Sequence, residues 1–358
     1  MSTSYWKNTI SLPQESPDIT IIGGGFVGLS VAYWLLLKKP SLKVWVIDHQ
    51  HLGEGASGRN AGFLTKGSFT FYEHLSNKWG KDRAYELFEF AKESIELTLS
   101  HLNPSEVIHT TSYSFYRENK DFEFNGFKKV SSPLEQFKES YICEGEKSIH
   151  PYRLLESLEE KVSSLGGMIY RGVEVLSIEE NFISTSRGSI KNSQAVLALN
   201  GFTEKLVSGV VSAQRAQMLC VELANQTHLP GLMYEPDQRV YFKFLEPGTL
   251  IIGGKRLVDQ SSEQTNQLGV NPVIQQALYK YVDENIEKIQ KVKAQWSGIM
   301  GFSSDELPII EKRNSYYLIA GFSGHGMGLG FNSARNLADM LIDNKTSFFQ
   351  SLRTRCRL

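Results

Sequence analysis

Apolar and polar positions along the chain follow several distinct rhythms. Residues 18–22 make a short apolar run into glycine, and 26–37 are almost continuously apolar. This predicts a buried strand feeding a buried helix that Lys38, Lys39 and Pro40 bring to a stop. The run at 43–48 reads as a parallel strand covered on both faces. Leu87, Phe90, Ala91, Ile95 and Leu99 recur at helical spacing among Glu and Lys, so 82–102 is a predicted surface helix. Alternation at 111–116 predicts a strand, and 1–17, polar with Pro13 and Pro17, reads as a lead-in arm.

A second block follows. Leu154, Leu155, Leu158 and Val162 predict a helix over 151–165, stopped by Gly166-Gly167, then strands at 168–171, 173–179 and 194–199. Antiparallel strands are predicted at 218–223, 239–245 and 249–253, the last two joined by Glu246-Pro247-Gly248. A helix over 272–291 would turn Val273, Ala277, Leu278, Tyr281, Val282, Ile286 and Ile289 inward. Strand 316–320 then leads through glycines into a helix carrying Ala334, Leu337, Ala338 and Leu341 on one face. The mixture predicts a parallel α/β nucleotide-binding unit interrupted twice by pieces of a second, antiparallel domain.

Composition narrows the function. With 38 basic against 39 acidic residues there is no global field to attract nucleic acid. Cys143, Cys220 and Cys356 lie far apart, with neither a metal-ligand spacing nor a disulfide framework, so no metal is expected. The first 18 residues lack the basic start and apolar core of a signal peptide. The apolar run 26–37 is too short to span a bilayer, so a cytoplasmic protein is the expectation.

Gly23-x-Gly25-x-x-Gly28 follows the first strand and opens the first helix, which is the dinucleotide-binding arrangement. The helix N-terminus there offers N–H groups and positive dipole charge to a pyrophosphate. Asp48 ends the second strand 20 residues after Gly28, where an acid accepts both ribose hydroxyls and repels a 2′-phosphate. Residues 53–64 are too glycine-rich for helix or strand and let backbone press on a flat ligand. A second strand, glycine turn and helix, Gly321-Phe322-Ser323-Gly324-His325-Gly326, makes another anion-ready helix end.

These features together resemble the FAD-dependent amino acid and amine oxidoreductases, which include D-amino acid oxidase, glycine oxidase, monomeric sarcosine oxidase and gamma-glutamylputrescine oxidase. The likeness also rests on Gly55-Ala56-Ser57-Gly58-Arg59-Asn60-Ala61-Gly62, Ala195–Gly201, Trp296-x-Gly298 and Asp305-x-x-Pro308. It implies a Rossmann-like, glutathione-reductase-like FAD-binding domain over 1–85, 141–213 and 297–358. A mixed or antiparallel substrate domain would cover 86–140 and 214–296. It implies cofactor contacts at Gly23, Gly25, Phe26, Val27 and Gly28, at Asp48 and His49, and at Ala56, Ser57, Gly58, Arg59, Asn60, Ala61 and Gly62. Further contacts fall at Val175, at Leu199, Asn200 and Gly201, at Gly298, and at Gly324, His325, Gly326, Met327 and Gly328. The turn at 321–329 would lie under the ring's pyrimidine end, where backbone N–H groups stabilise charge on the reduced ring.

The implied chemistry is hydride transfer from the amine-bearing carbon of a small amine or amino acid to flavin N5. Imine hydrolysis follows, and oxygen reoxidises the flavin to give hydrogen peroxide. Candidate catalytic residues are Arg59, placed where an arginine has little to pack on, and His325. Arg239, Tyr241 and Lys243 join them as residues sharing one strand face; Lys255 and Arg256 are weaker candidates. Two departures matter. Gly328 stands where monomeric sarcosine oxidase has a carboxylate-binding lysine. No cysteine lies between Cys220 and Cys356 to attach the flavin, so non-covalent FAD is expected. The alternatives are a dehydrogenase passing electrons to a quinone or carrier, for which Arg353-Thr354-Arg355 hints at docking, and a non-catalytic flavin module or redox sensor. The substrate's identity and the oligomeric state are not legible.

Overall fold

The protein is described by a computed structural model covering residues 12–180, 182–191 and 193–355. The chain begins β1 (Ile19–Ile22), α1 (Phe26–Lys38), β2 (Val44–Asp48), β3 (Phe63–Leu64), α2 (Phe69–Trp79), α3 (Lys81–Leu102), β4 (Ile108–Tyr116), β5 (Lys128–Val130) and β6 (Glu139–Ser148). Next come α4 (Pro151–Ser164), β7 (Met168–Arg171), β8 (Val175–Ile178), β9 (Phe182–Thr185), β10 (Gly188–Lys191) and β11 (Gln194–Leu197). The remainder is β12 (Ser212–Leu223), β13 (Leu232–Glu235), β14 (Val240–Glu246), β15 (Thr249–Gly254), α5 (Pro272–Asn285), β16 (Ile289–Phe302), β17 (Ile309–Lys312), β18 (Tyr316–Ala320), α6 (Gly326–Asp343) and α7 (Phe348–Thr354).

Three sheets organise these elements. A six-stranded sheet has the order β17-β18-β11-β1-β2-β7, parallel except for β17 at its edge. The chain order reverses around β1, the kind of switch point where nucleotides bind beyond the strand carboxyl ends. Helix α1 is buried on nearly every side because it lies between this sheet and α6, which explains its continuous apolar run. A small antiparallel sheet, β10-β9-β8, sits beside β7 in sequence. The third sheet runs β16-β12-β15-β14-β13-β4-β6-β3, with β5 on β6; it is antiparallel except where β13 meets β4. Its separate core, Leu219, Val221, Phe242, Ile252, Leu278 and Val282 among others, is capped by α5.

Several expectations are corrected. The helix over 272–291 ends at Asn285, and Ile289 starts β16, where it pairs with Leu223. Ile286 and Ile289 therefore do not belong to a helical face. Residues 141–148, expected in the cofactor unit, form β6 of the third sheet, and 297–302 complete β16 of the same sheet. Conversely, α3, expected with the substrate part, shares the core of α1 and α6. Residues 53–64 do include regular structure, a 3₁₀ turn Ala56–Gly58 and β3. Of the lead-in arm, residues 1–11 lie outside the described residues, as does Cys356.

Candidate active site

The first glycine turn accounts for most of its own hydrogen bonds. Gly23 holds φ +110°, and a Cβ on Gly28 would stand 1.8 Å from the Gly23 carbonyl oxygen, so helix and strand could not approach with any side chain there. Gly23 N–H donates to Ile47 O at 2.9 Å, Gly24 N–H to Asp48 Oδ2 at 2.6 Å and Phe26 N–H to Ser57 Oγ at 2.9 Å. The Gly25 and Val27 N–H groups have no protein acceptor among the described residues. Fewer donors than expected remain free, but those two point from a helix start into a cavity. Asp48 also accepts from Gln50 N–H at 2.8 Å and still faces that cavity.

The loop after β2 folds onto itself through side chains. Asn60 Nδ2 donates to Ala56 O and Ser57 O, and its Oδ1 accepts Gly62 N–H at 2.8 Å. Arg59 is not short of partners, contrary to the sequence expectation. It donates to Glu54 O at 2.7 Å, pairs with the Glu54 carboxylate at 3.1 Å and reaches Ser297 O of β16 at 3.4 Å. Trp296 Nε1 donates to Arg59 O at 2.9 Å, so the loop is fixed to the third sheet.

At the far end, α6 begins beside the same cavity. His325 N–H donates to Phe322 O at 2.8 Å, while Gly326, Met327 and Gly328 keep N–H groups without protein acceptors among the described residues. The His325 ring stacks on Phe71 of α2 at 3.7 Å, and its Nδ1 lies 3.1 Å from Ser323 O. Burial pushes its pKa down to about 4, so the imidazole is neutral near pH 7 and Nδ1 carries the proton given to Ser323 O. Asn200, at φ +45°, accepts from Gly321 N–H at 3.1 Å and links the end of β11 to this turn.

One cavity joins the three pieces, with about 1740 Å³ of space between its walls, open solvent included. Among the expected residues, Gly23, Gly25, Phe26, Val27, Asp48, Ala56, Ser57, Arg59, Asn60, Ala61, Leu199, Asn200, Tyr241, Gly298, Gly324, His325, Gly326, Met327 and Gly328 line it. The remaining ones, Gly28, His49, Gly58, Gly62, Val175, Gly201, Arg239 and Lys243, are not in its wall. Gly28, Gly58, Gly62 and Gly201 pack directly against other backbone, which is the task that excludes a side chain there.

A family model described as FAD dependent oxidoreductase matches residues 18–340. The chain belongs to this family. Among relatives, gamma-glutamylputrescine oxidoreductase of Escherichia coli is 21% identical over 90% of this chain and 83% of its own. Among solved structures, L-proline dehydrogenase from P. horikoshii superposes with TM-score 0.75, 17% identity and coverage of 94% here and 95% there. Glycine oxidase from Bacillus cereus gives TM-score 0.72 and 19% identity over 94% and 97% of the two chains. The protein is thus an FAD-dependent oxidoreductase.

The walls suit that cofactor. Free N–H groups stand at both ends, and a Cβ on Gly298, Gly324 or Gly326 would meet protein no nearer than 3.4 Å. The backbone there is bare next to open space, as a flat ring requires. No helix of the described residues is long and apolar enough to cross a membrane. Among the described residues no group of three or more His, Cys, Asp or Glu could hold a metal ion.

Beyond these bare glycines the wall is aromatic. Phe63 meets Tyr234 edge-on at 5.3 Å and Tyr241 at 6.0 Å; Tyr234 OH bonds Thr65 Oγ1 at 3.1 Å and Tyr241 OH lies 3.3 Å from Met218 Sδ. Burial pushes Tyr241 up to about 12 and raises Tyr234 as well, so both stay phenols. Tyr234, Thr65, Phe63 and Met218 carry no spacing signal of their own: Met218 opens a predicted strand and Phe63 lies in the glycine-rich loop, but nothing local shows that a single side chain there faces a cavity. The expected trio is split. Arg239 is exposed in a left-handed turn, φ +50°, before β14 begins. Lys243 is buried, donating to Ser148 Oγ at 2.8 Å and Ile149 O at 3.4 Å with no carboxylate partner among the described residues, and burial lowers its pKa to about 8. Its Nζ lies 2.9 Å from where a Cβ on Gly62 would be, directly behind the 53–62 loop. Lys255 bonds Gln238, while Arg256 covers the Phe302 ring at 4.8 Å with its Nε unpartnered. Of the tail expected to hint at docking, Arg353 is engaged within the fold: it makes two bonds to Asp305 and two to Leu307 O and Pro308 O.

Proposed function

We propose that the protein oxidises a small amino acid at the amine-bearing carbon and passes the electrons to oxygen, giving hydrogen peroxide after the imine is hydrolysed. The observation that supports it most is the aromatic end of the cavity. Asp48 is the acidic residue of the cavity wall among the described residues and belongs to the adenosine end, while Arg256 lies close enough to Tyr241 to pull its pKa down against the larger upward push of burial. An aromatic end without a carboxylate among the described residues of its wall disfavours a diamine, and the guanidinium near Tyr241 favours a substrate carboxylate.

The FAD, bound non-covalently, supplies the hydride acceptor. The chain supplies binding and field. The Gly25 and Val27 N–H groups would hold the pyrophosphate, Asp48 the ribose, and the start of α6 the pyrimidine end of the ring. Phe63, Tyr234 and Tyr241 orient the amine and exclude water, a positioning role that needs no side-chain base. Neutral His325 is consistent with that, its ring bracing Phe71 while its N–H caps the turn. Arg59 would act by shaping the loop. Buried Lys243 would supply the positive charge that favours oxygen reduction, since it stabilises developing negative charge in a dry place. In this reading the six-stranded sheet carries the cofactor and the nine-stranded sheet the substrate.

The test is an anaerobic titration of the purified flavoprotein with an amino acid and amine panel. Bleaching by an amino acid, followed by peroxide on readmitting air, supports the proposal; no bleaching by any amine would sink it and favour a non-catalytic flavin module. The exposed Leu257 and Val258 beside Arg256 favour a second reading, electron transfer to a quinone or carrier. Dye reduction without peroxide would identify it.

A further inference from the structure

Beside the cavity, next to Asp48 and Gly24, lies a charge that neither the glycine turn nor the acid explains. Arg171 closes β7 and is the register partner of Asp48 at the end of β2. Its side chain, 16% exposed, lies between two carboxylates. Nε donates to Glu159 Oε1 of α4 at 3.2 Å, NH2 lies 3.1 Å from the same oxygen, and NH1 lies 3.9 Å from Asp48 Oδ2. NH1 is buried and has no hydrogen-bond partner among the described residues. It lies 3.2 Å from where a Cβ on Gly24 would be, so the guanidinium packs against the glycine turn itself.

Asp48 is held by Gly24 N–H on one oxygen and Gln50 N–H on the other, which leaves a lone pair on each for a ribose hydroxyl. Asp48 and Glu159 are both largely covered, 20% and 28% exposed, and both converge on the one guanidinium. Removing that cation leaves two carboxylates sharing a poorly solvated space, and their repulsion works against the site-facing Asp48 carboxylate that the two N–H bonds hold. Because NH1 is covered by protein, Arg171 acts through Asp48 and not by touching the ligand.

We propose that Arg171 is a positioning residue for the adenosine half of FAD: it keeps the Asp48 carboxylate aimed at the ribose and so sets the preference for FAD over FMN. The inference rests on FAD as the cofactor and not on the identity of the amine. Its test is the dissociation constant of the apoprotein for FAD and for FMN, read from quenching of flavin fluorescence. Arg171→Gln should weaken FAD about tenfold, the scale of one lost hydrogen bond, and leave FMN unchanged. In an Asp48→Asn background the same change should add nothing, since the group it positions has gone. Arg171→Lys, which keeps the charge, should retain most of the FAD preference and serves in place of the Gln variant if that chain does not fold. An unchanged FAD constant in Arg171→Gln, equal weakening of FAD and FMN, or losses that multiply in the double variant would each overturn the proposal.

Discussion

Lys243 and His325 show how much the surroundings change a side chain whose type is plain from the sequence. A buried ammonium without a carboxylate costs stability, so Lys243→Met should raise the melting temperature at pH 7. The sign follows from the lowered pKa. Between about 8 and the ordinary lysine value the unfolded chain binds the extra proton, so the wild-type protein gains stability as pH rises through that window, and the variant's advantage shrinks. The same variant should slow flavin reoxidation by oxygen ~100-fold, the scale of losing one preorganised charge, and leave anaerobic flavin reduction unchanged. Stopped-flow measurement of the two half-reactions separates them. For His325, with a pKa near 4, the unfolded chain binds the proton between about 4 and 6.5, so its contribution to stability is complete above 6.5 and lost as pH falls toward 4. Substrate kcat/KM should accordingly show no limb near pH 6.5 that vanishes in His325→Gln.

Among the elements, the two glycine turns differ in what a methyl group meets. Gly28→Ala drives a Cβ to within 1.8 Å of backbone and should abolish folding of the cofactor layer, seen as insoluble protein or lost cooperative melting. Gly326→Ala meets only the Phe322 side chain, at 3.5 Å, and should fold normally while binding FAD more weakly. Helix α7 is a different case. Its core residues Phe349 and Leu352 are buried, and Arg353 ties it to Asp305 and the carbonyls after it. Burial pushes Asp305 up, but the Arg353 bonds more than offset it, and its pKa ends below the ordinary value. That stabilisation is present above the ordinary carboxylate range and is lost as pH falls through it. Arg353→Ala should therefore cost about 3 kcal/mol at pH 7, as for a buried pair losing one partner, and less at pH 3. A urea melt at each pH measures it.

For the molecule as a whole, the cavity is lined from both main sheets, so a cofactor held there should be felt globally when it is removed. At a hundredfold excess over its dissociation constant FAD adds about 2.7 kcal/mol to the folded state. Stripping FAD should lower the melting temperature by several degrees, and adding it back should restore the value in proportion to the logarithm of its concentration.

At this scale the limits of the sequence are also visible. The first strand, turn and helix could be read directly because glycine spacing and continuous apolar runs are local consequences of close packing. The strands β6 and β16 could not. The first contains Glu139, Glu146 and Lys147, all buried, and the second begins with an exposed polar stretch, so neither shows a period. Helix α5 was read too long because Ile286 and Ile289 continue its period past the point where β16 pairs with β12.

Legible in the residues alone are the nucleotide-binding turn, the acid that ends β2, the second glycine turn and hence the cofactor family. Each is written within a few neighbouring residues whose spacing the backbone geometry demands. What Arg59, Arg239, Lys243, Arg353 and Arg171 touch is settled by the folded chain, because a charged side chain's partners are distant groups that only folding brings to it. The chain fixes where a cation is attached; the fold fixes whether it finds an acceptor, a ring or none.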